Sequence, residues 1–431
     1  DFAIQRIPCA ERASAHGLIA RNNQVEATIN QVNQFGGYTG MRHKDYAAMI
    51  LSIAKKIGFP KEKIILCGDH LGPYIWTDLP EKEAMERSCE LIRECVAAGF
   101  RKIHLDPTIP VADDEPGKPL SDEVIAKRAA LMAKVSEETF EKTKNDTPWT
   151  FRPVYVIGSE VPMPGGTKED EGISVTTAED LYKSIECFRN AFLDNGLPQV
   201  WDDVVAVVAQ IGVEFSDEAV YQYDYNNALP IIQLLEKKYP NLMFESHSAD
   251  YQPQSCLVDM VRGRTRLLKT GPECTFQMRE GLFALEHIER ELQPLYGFDL
   301  SNFSKTLDYV MTTERSSYWE GYYGGSEYEK YLKRQYSFSD RSRYYMTHGE
   351  VRAAMNKLLG NLDSVEIPLM LISQYMPVQF ENIRDRKLDK KSNATILLKD
   401  KVLREWERHY VAMLQGTGRE KEAEKILNSR K

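Results

Sequence analysis

Short apolar, β-branched runs alternate over the first 300 positions with longer stretches whose apolar residues recur every three or four places. The runs predict strands near residues 4–9, 25–30, 63–69, 102–106, 152–159, 204–211, 241–247 and 265–270. The stretches between them predict helices over 44–57, 82–98, 121–143, 177–195, 226–238 and 272–296, with Gly58 and Gly99 as C-terminal stop signals. Eight strands in a βαβα rhythm predict the α/β class and a (β/α)8 TIM barrel over residues 1–300. Only about fifteen residues separate the first two strands, near the minimum for a parallel crossover. The first βα unit is therefore read as abbreviated or incompletely represented. After residue 300 the rhythm stops. A Tyr-, Ser- and Arg-rich stretch precedes helical patterns over 349–385 and 397–430, and no Ser/Gly/Pro linker intervenes. Residues 301–431 are read as a C-terminal helical extension packed on the barrel.

Five of the runs stop on residues that bind metals or move protons: KIILCGDH, KIHLD, VYVIGSE, VVAVVAQ and MFESHS. Barrel enzymes keep their active sites at the C-terminal strand ends, so the pattern implies an enzyme. In GDHLGP, Asp69 and His70 stand side by side; alone, the segment also fits a helix-capping Asp with a structural His. His247 is a second candidate metal ligand, with Glu160 and Gln210 ending the fifth and sixth strands. Imidazole, carboxylate and amide oxygen together suit a divalent metal, zinc above others. Asp106 is a second candidate acid or base, and His104, two before it on the same face, is read as its buried neighbour. Gly165 and Gly166 lie in a Gly-rich loop after Glu160, suited to phosphate or to a moving lid. Asn30, Gln31, Asn33 and Gln34 follow the second strand and suit a polyhydroxylated substrate. Arg341 and Arg343, among serines in YSFSDRSRYY, suit a phosphate.

The bulk numbers narrow the class without naming it. The chain has 431 residues, 42% hydrophobic and 28% charged, with a formal charge of −9 and no basic block, which argues against nucleic acid as a partner. Seven cysteines without a CxxC pair predict a reduced, cytoplasmic protein, and no run is long and apolar enough to predict a membrane span. Neither GxxxxGK[ST] nor GxGxxG in a suitable context occurs, so nucleotide binding has no support.

NQVNQFGGYTGM, GDHLGP, KIHLD, IGSEVPMPGG, VEF, ESHSADYQ, LLKTGPECTFQMREGLFAL, YSFSDRSRYY and IPLMLISQYMPVQF run in this order from about residue 24 to about 410. Together they closely resemble the Z-type component of class II D-tagatose-1,6-bisphosphate aldolases. The resemblance implies one of three roles: a non-catalytic subunit supporting a separate catalytic aldolase chain, a tagatose 6-phosphate kinase, or a metal-dependent ketose or ketose-phosphate C4 epimerase. The same segments are more distantly similar to zinc-dependent catalytic aldolases, where Gln210 stands in place of an expected zinc-binding His. The expectation is a metal-dependent ketohexose-phosphate enzyme acting at C4 by retro-aldol and aldol chemistry, as tagatose 6-phosphate/fructose 6-phosphate 4-epimerase or aldolase component. His70, Glu160, Gln210 and His247 are its expected metal ligands; Asp69, Asp106 and Glu160 are its expected catalytic groups. A phosphorylated ketohexose, a catalytic aldolase subunit and a second copy of the chain are the expected partners.

Overall fold

The computed structural model describes residues 3–6, 23–147, 151–158, 173–313, 318–389 and 391–428. Its main sheet is built from β1 (Ala3–Arg6), β2 (Asn23–Thr28), β3 (Ile64–Leu71), β4 (Lys102–Leu105), β5 (Val154–Ile157), β6 (Val204–Val208), β9 (Met243–Ser246) and β10 (Thr265–Leu268), side by side in that order. A two-stranded hairpin, β7 (Glu214–Phe215) with β8 (Val220–Tyr221), follows β6. From β2 to β10 all neighbours are parallel, giving seven parallel strands. Every residue of β3 to β6 is buried, as expected for parallel strands covered on both faces.

The eighth strand departs from expectation. β1 pairs antiparallel to β2, Ala3 opposite Glu26, and among the described residues no pairing joins β10 back to β1 or β2. The architecture shown is a curled seven-stranded half-barrel with an antiparallel edge strand, not a closed (β/α)8 ring. The sixteen positions between β1 and β2 lie outside the described residues, and their number is close to the shortest parallel crossover. The curl is nonetheless deep: Lys102 on β4 bonds both Glu26 on β2 and Glu245 on β9 across the interior.

The helices between and beyond the strands are α1 (His43–Lys56), α2 (Glu81–Ala97), α3 (Asp122–Thr143), α4 (Ala178–Asp194), α5 (Pro198–Asp202), α6 (Tyr225–Lys238), α7 (Gln254–Arg262) and α8 (Pro272–Tyr296). Side-chain oxygens of Ser121, Thr177 and Asp224 accept backbone N–H groups at the starts of α3, α4 and α6. The described elements of the C-terminal part are helical: α9 (Phe303–Thr313), α10 (Glu327–Tyr336), α11 (Gly349–Asp363), α12 (Leu369–Tyr375), α13 (Pro377–Arg384), α14 (Ala394–Gly416) and α15 (Glu420–Asn428). No described helix is long and apolar enough to cross a membrane.

Beside a small cluster of Val411, Leu414 and Ala423, the described residues form two large apolar cores. One surrounds the sheet; the other joins Leu282, Leu285 and Ile288 of α8 to Phe303, Leu307, Leu358 and Leu397. α14 reaches both, with Leu397 in the second core and Ala412 and Met413 in the first.

At this junction Glu273 of α8 is buried, accepting from Tyr251 N at 2.9 Å and Arg408 Nη1 at 3.2 Å. Burial, with the Glu405 carboxylate beside it, pushes Glu273 up to about 9. In the folded chain it keeps a proton that the unfolded chain releases near 4.5, so its contribution is full below 4.5 and is lost as pH rises towards 9. Glu273→Gln, which cannot ionise, should flatten that decline. Melting at pH 9 is expected to rise relative to the parent by about 1 °C per kcal/mol recovered. The two should melt alike at pH 4; equal melting at pH 9 would contradict the assignment.

Candidate active site

The sheet delivers its polar strand ends to one place. β3 carries Asp69 and His70, β4 carries His104 with Asp106 just beyond, β9 leads through Glu245 to His247, and Lys269 follows β10. Consecutive strand residues normally face opposite sides. Here the β3–β4 register shifts between Gly68 and Leu71, and His70 takes φ +49°, a left-handed backbone uncommon for a residue with a Cβ. The irregularity brings the imidazole to the same side as the carboxylate. Strain of this kind concentrates at chemically active sites. A Cβ on Gly72 would stand 2.0 Å from the Asp106 carbonyl oxygen, so only glycine lets the β3 exit lie against Asp106.

Three imidazoles meet edge to face, with ring centres 4.8 Å apart for His70–His247, 4.9 Å for His104–His247 and 5.5 Å for His70–His104. Each has a carboxylate at one ring nitrogen. His70 Nδ1 lies 2.7 Å from Asp106 Oδ2, His104 Nδ1 3.0 Å from Asp69 Oδ1, and His247 Nε2 3.1 Å from Glu245 Oε1. Carboxylates so placed orient imidazoles and make the opposite nitrogen more basic. Of those opposite nitrogens, His104 Nε2 and His247 Nδ1 are buried without a hydrogen-bond partner, and His70 Nε2 has Asp69 Oδ2 at 3.5 Å. Ligand atoms from Asp69, His70, His104 and His247 all lie within 4.8 Å of one another. Unpartnered buried lone pairs and an imidazole–carboxylate donor set fit a divalent ion such as zinc.

Beside the imidazoles lies a charge network. Lys102, fully buried, bonds Glu26 and Glu245. Lys269 bonds Asp69 and lies 3.6 Å from Glu245 Oε1, 3.9 Å from Glu26 Oε2 and 3.2 Å from His247 Nε2. Three carboxylates (Glu26, Asp69 and Glu245) thus face two ammonium groups, while Asp106 is held by His70 and Thr108. Against the upward push of burial, the His70 hydrogen bond holds Asp106 well below the usual carboxylate range. Asp69 is also low, burial being outweighed by His70 and Lys269. Burial and the Lys269 charge pull His247 down to about 3, so its imidazole is neutral near pH 7. Glu214, on β7, behaves oppositely: burial lifts it to about 7, while its Oε1 accepts from Ser248 Oγ at 2.8 Å and Phe215 N at 3.0 Å.

A second constellation joins the loops after β2 and β3 to the extension. Arg341 is buried, bonds the Tyr318 carbonyl and lies 3.3 Å over the Tyr322 ring; its Nη1 has no hydrogen-bond partner. Arg343 bonds the carbonyls of Ser339 and Asp340 and the Tyr344 hydroxyl. Tyr38 packs on Tyr344 and hydrogen-bonds Gln31, and Tyr74 hydrogen-bonds Asn30. Asn30, Gln31, Arg341 and Arg343 are therefore brought to one neighbourhood.

Other expected residues lie elsewhere. Asn33 shapes its own turn, accepting from Phe35 N and Gly37 N, and Gln34 turns to the Arg87 carbonyl on α2. Gln210 uses its Oε1 on the loop after β6, accepting from Gly212 N at 2.9 Å and Val213 N at 3.1 Å. Glu160, Gly165 and Gly166 lie outside the described residues. His104 comes into the cluster itself, Lys102, Lys269, Glu26 and Glu245 join the site unforeseen, and Glu214 meets Ser248, next to His247. A charged residue inside an otherwise apolar run, as in KIHL or TRLLK, was the available signal for the lysines.

Over residues 12–413 the chain matches the family described as D-tagatose-1,6-bisphosphate aldolase subunit GatZ/KbaZ-like. It belongs to that family. A protein described as a probable tagatose 6 phosphate kinase, from Sinorhizobium meliloti 1021, shares 34% identity over 95% of this chain and 100% of its own, with a TM-score of 0.81. The fructuronate-tagaturonate epimerase UxaE of Cohnella laeviribosi overlaps 91% of this chain and 75% of its own at 14% identity. Its TM-score of 0.37 carries no argument. For this GatZ/KbaZ-like chain, the Asp69–His70–His104–His247 cluster is the feature that bears most directly on chemistry.

Proposed function

We propose that the chain is a metal-dependent enzyme of tagatose metabolism that acts at C4 of a phosphorylated ketohexose. The reading rests on one observation: three carboxylate-backed imidazoles and Asp69 converge in a buried cluster at the sheet's C-terminal strand ends. His70, His104 and His247, with Asp69, would hold a divalent ion, and Glu160 remains a further proposed ligand. When bound, such an ion supplies positive charge to a substrate carbonyl and the anion that develops from it. Asp106 is engaged by His70 and Thr108 and so positions the His70 ring. Asp69 and Glu214 are the carboxylates proposed to move the proton of the C4 hydroxyl. Removing that proton lets the C3–C4 bond break into an aldehyde and a three-carbon enediolate. Rotation of the retained aldehyde, re-addition and return of the proton invert C4, with no net oxidation. Arg341, with a free Nη1 and an aromatic stack, is proposed to take the phosphate, and Arg343, Asn30 and Gln31 to shape its surroundings.

The family description, an aldolase subunit, favours a second reading in which the chain supports a separate catalytic aldolase chain. The experiment is to incubate the purified chain alone with tagatose 6-phosphate and assay fructose 6-phosphate. Product is expected without a partner, lost with EDTA and restored by zinc. A zinc-loaded chain that forms no product would favour the supporting subunit.

A further inference from the structure

The loop after β9 reaches two other parts of the molecule. Ser248 Oγ donates to Glu214 Oε1 at 2.8 Å, and the Tyr251 hydroxyl donates to the Phe338 carbonyl at 2.5 Å. Tyr251 takes φ +62°, left-handed and uncommon for an aromatic residue, with its N–H held by Glu273 Oε2 at 2.9 Å. Its ring packs on Phe215 and Phe338, with centres 5.5 Å and 5.0 Å away. Phe338 in turn donates its N–H to the Asp217 carbonyl at 3.1 Å, and Lys333 of α10 lies 2.7 Å from Asp217 and 3.2 Å from Glu218. The β7–β8 hairpin, which begins with Glu214, is thus fastened to residues 333–338 of the extension. The same strap of chain continues directly into Asp340 and Arg341.

The geometry points to Tyr251 as a positioning residue that couples the phosphate site at Arg341 to the placement of Glu214. The inference rests on the roles proposed above for Arg341 and Glu214. The strap holds an unfinished contact. Asp340 takes φ +41°, and its Oδ1 accepts from Arg279 Nε at 2.8 Å, while Asp340 Oδ2 and Arg279 Nη2 are both buried without a hydrogen-bond partner. A guanidinium and a carboxylate can form two parallel bonds; this pair forms one and leaves the second to another arrangement of the strap. Arg341 Nη1, also buried without a partner, is the next residue's contact for an anion. Phosphate at Arg341 selects one arrangement of Asp340, and Phe338 carries the selection to Tyr251 and Asp217. Binding energy from the phosphate then places Glu214 as well as holding the substrate.

The test is hydrogen exchange of the intact chain, read by mass spectrometry over residues 214–221 and 336–345 with and without inorganic phosphate. At a phosphate concentration about ten times its dissociation constant, exchange in both segments is expected to slow about tenfold. Tyr251→Phe, which keeps the ring and loses the hydroxyl, should retain the slowing at 336–345 and lose most of it at 214–221. Arg341→Met should lose both. Phosphate that slows 336–345 in the wild type but leaves 214–221 unchanged overturns the inference and spares the phosphate reading; no slowing in either segment sinks both. Turnover gives a second readout. Tyr251→Phe should lower kcat for tagatose 6-phosphate about ten- to a hundredfold with KM little changed, and Arg341→Met should lower kcat as well as raise KM. Wild-type kcat in Tyr251→Phe, with only a lower melting temperature, makes the hydroxyl a structural tie and overturns the inference. A wild-type chain without turnover sinks the enzyme reading, and the exchange data alone then decide the coupling.

Discussion

Replacing His104 with alanine is expected to lower zinc affinity more than about 100-fold, a larger loss than removing a residue that only orients a ligand. Turnover of tagatose 6-phosphate should fall with it. His104 is fully buried, its Nδ1 faces Asp69 at 3.0 Å, and its Nε2 has no partner. A buried nitrogen left unpaired costs about 1–3 kcal/mol, a cost that a bound cation would remove. The competing account makes His104 a structural neighbour of Asp69. On that account alanine would lower the melting temperature but leave metal content after dialysis at the wild-type value. Gln210→Ala is the natural control. Its oxygen serves Gly212 and Val213, so metal content should hold while the loop after β6 loosens. Loss of zinc in Gln210→Ala and retention in His104→Ala would reverse the proposed ligand set.

The parallel strands are legible in the chain because their burial on both faces makes near-continuous apolar runs, and predicted 204–211 contains β6 as Val204–Val208. Strand direction is a different matter. Nothing in residues 4–9 distinguishes a parallel from an antiparallel edge, and β7 and β8, two residues each, are too short to show any period. At the site, the ends of β3 and β9 announce themselves through GDH and ESH. The role of His104 depends on a meeting that spacing cannot show. Its Nε2 matters because β9 curls round to place His247 4.9 Å away in ring centre, 143 positions later in the chain. Lys102 reads locally as a polar strand edge, whereas the curl carries it between Glu26 and Glu245. Gln210 differs in another way: it stands just past β6, and a local turn engages its oxygen.

The same curl gives Lys102 a large expected effect on stability. Burial alone would favour its neutral form, but Glu245 and Glu26 overcome that and keep the ammonium charged. Lys102→Met would leave those two carboxylates facing only Lys269, at 3.6 Å and 3.9 Å. Breaking a buried pair by removing one partner typically costs about 3–5 kcal/mol, because the remaining charge is stranded in a dry interior. Urea unfolding of Lys102→Met should show a loss of that order. The origin of the loss can be separated from packing. If stranded charge is the cause, lowering the pH should narrow the deficit, since Glu26 and Glu245 in the variant take up protons above the value they have unfolded. Adding Glu26→Gln and Glu245→Gln should recover much of the stability at pH 7 without restoring zinc-dependent turnover. A triple variant no more stable than Lys102→Met, with a deficit unchanged by pH, would assign the effect to lost packing. The two ammonium groups would then be fillers of the half-barrel rather than the counter-charges that let Glu26, Asp69 and Glu245 share its interior.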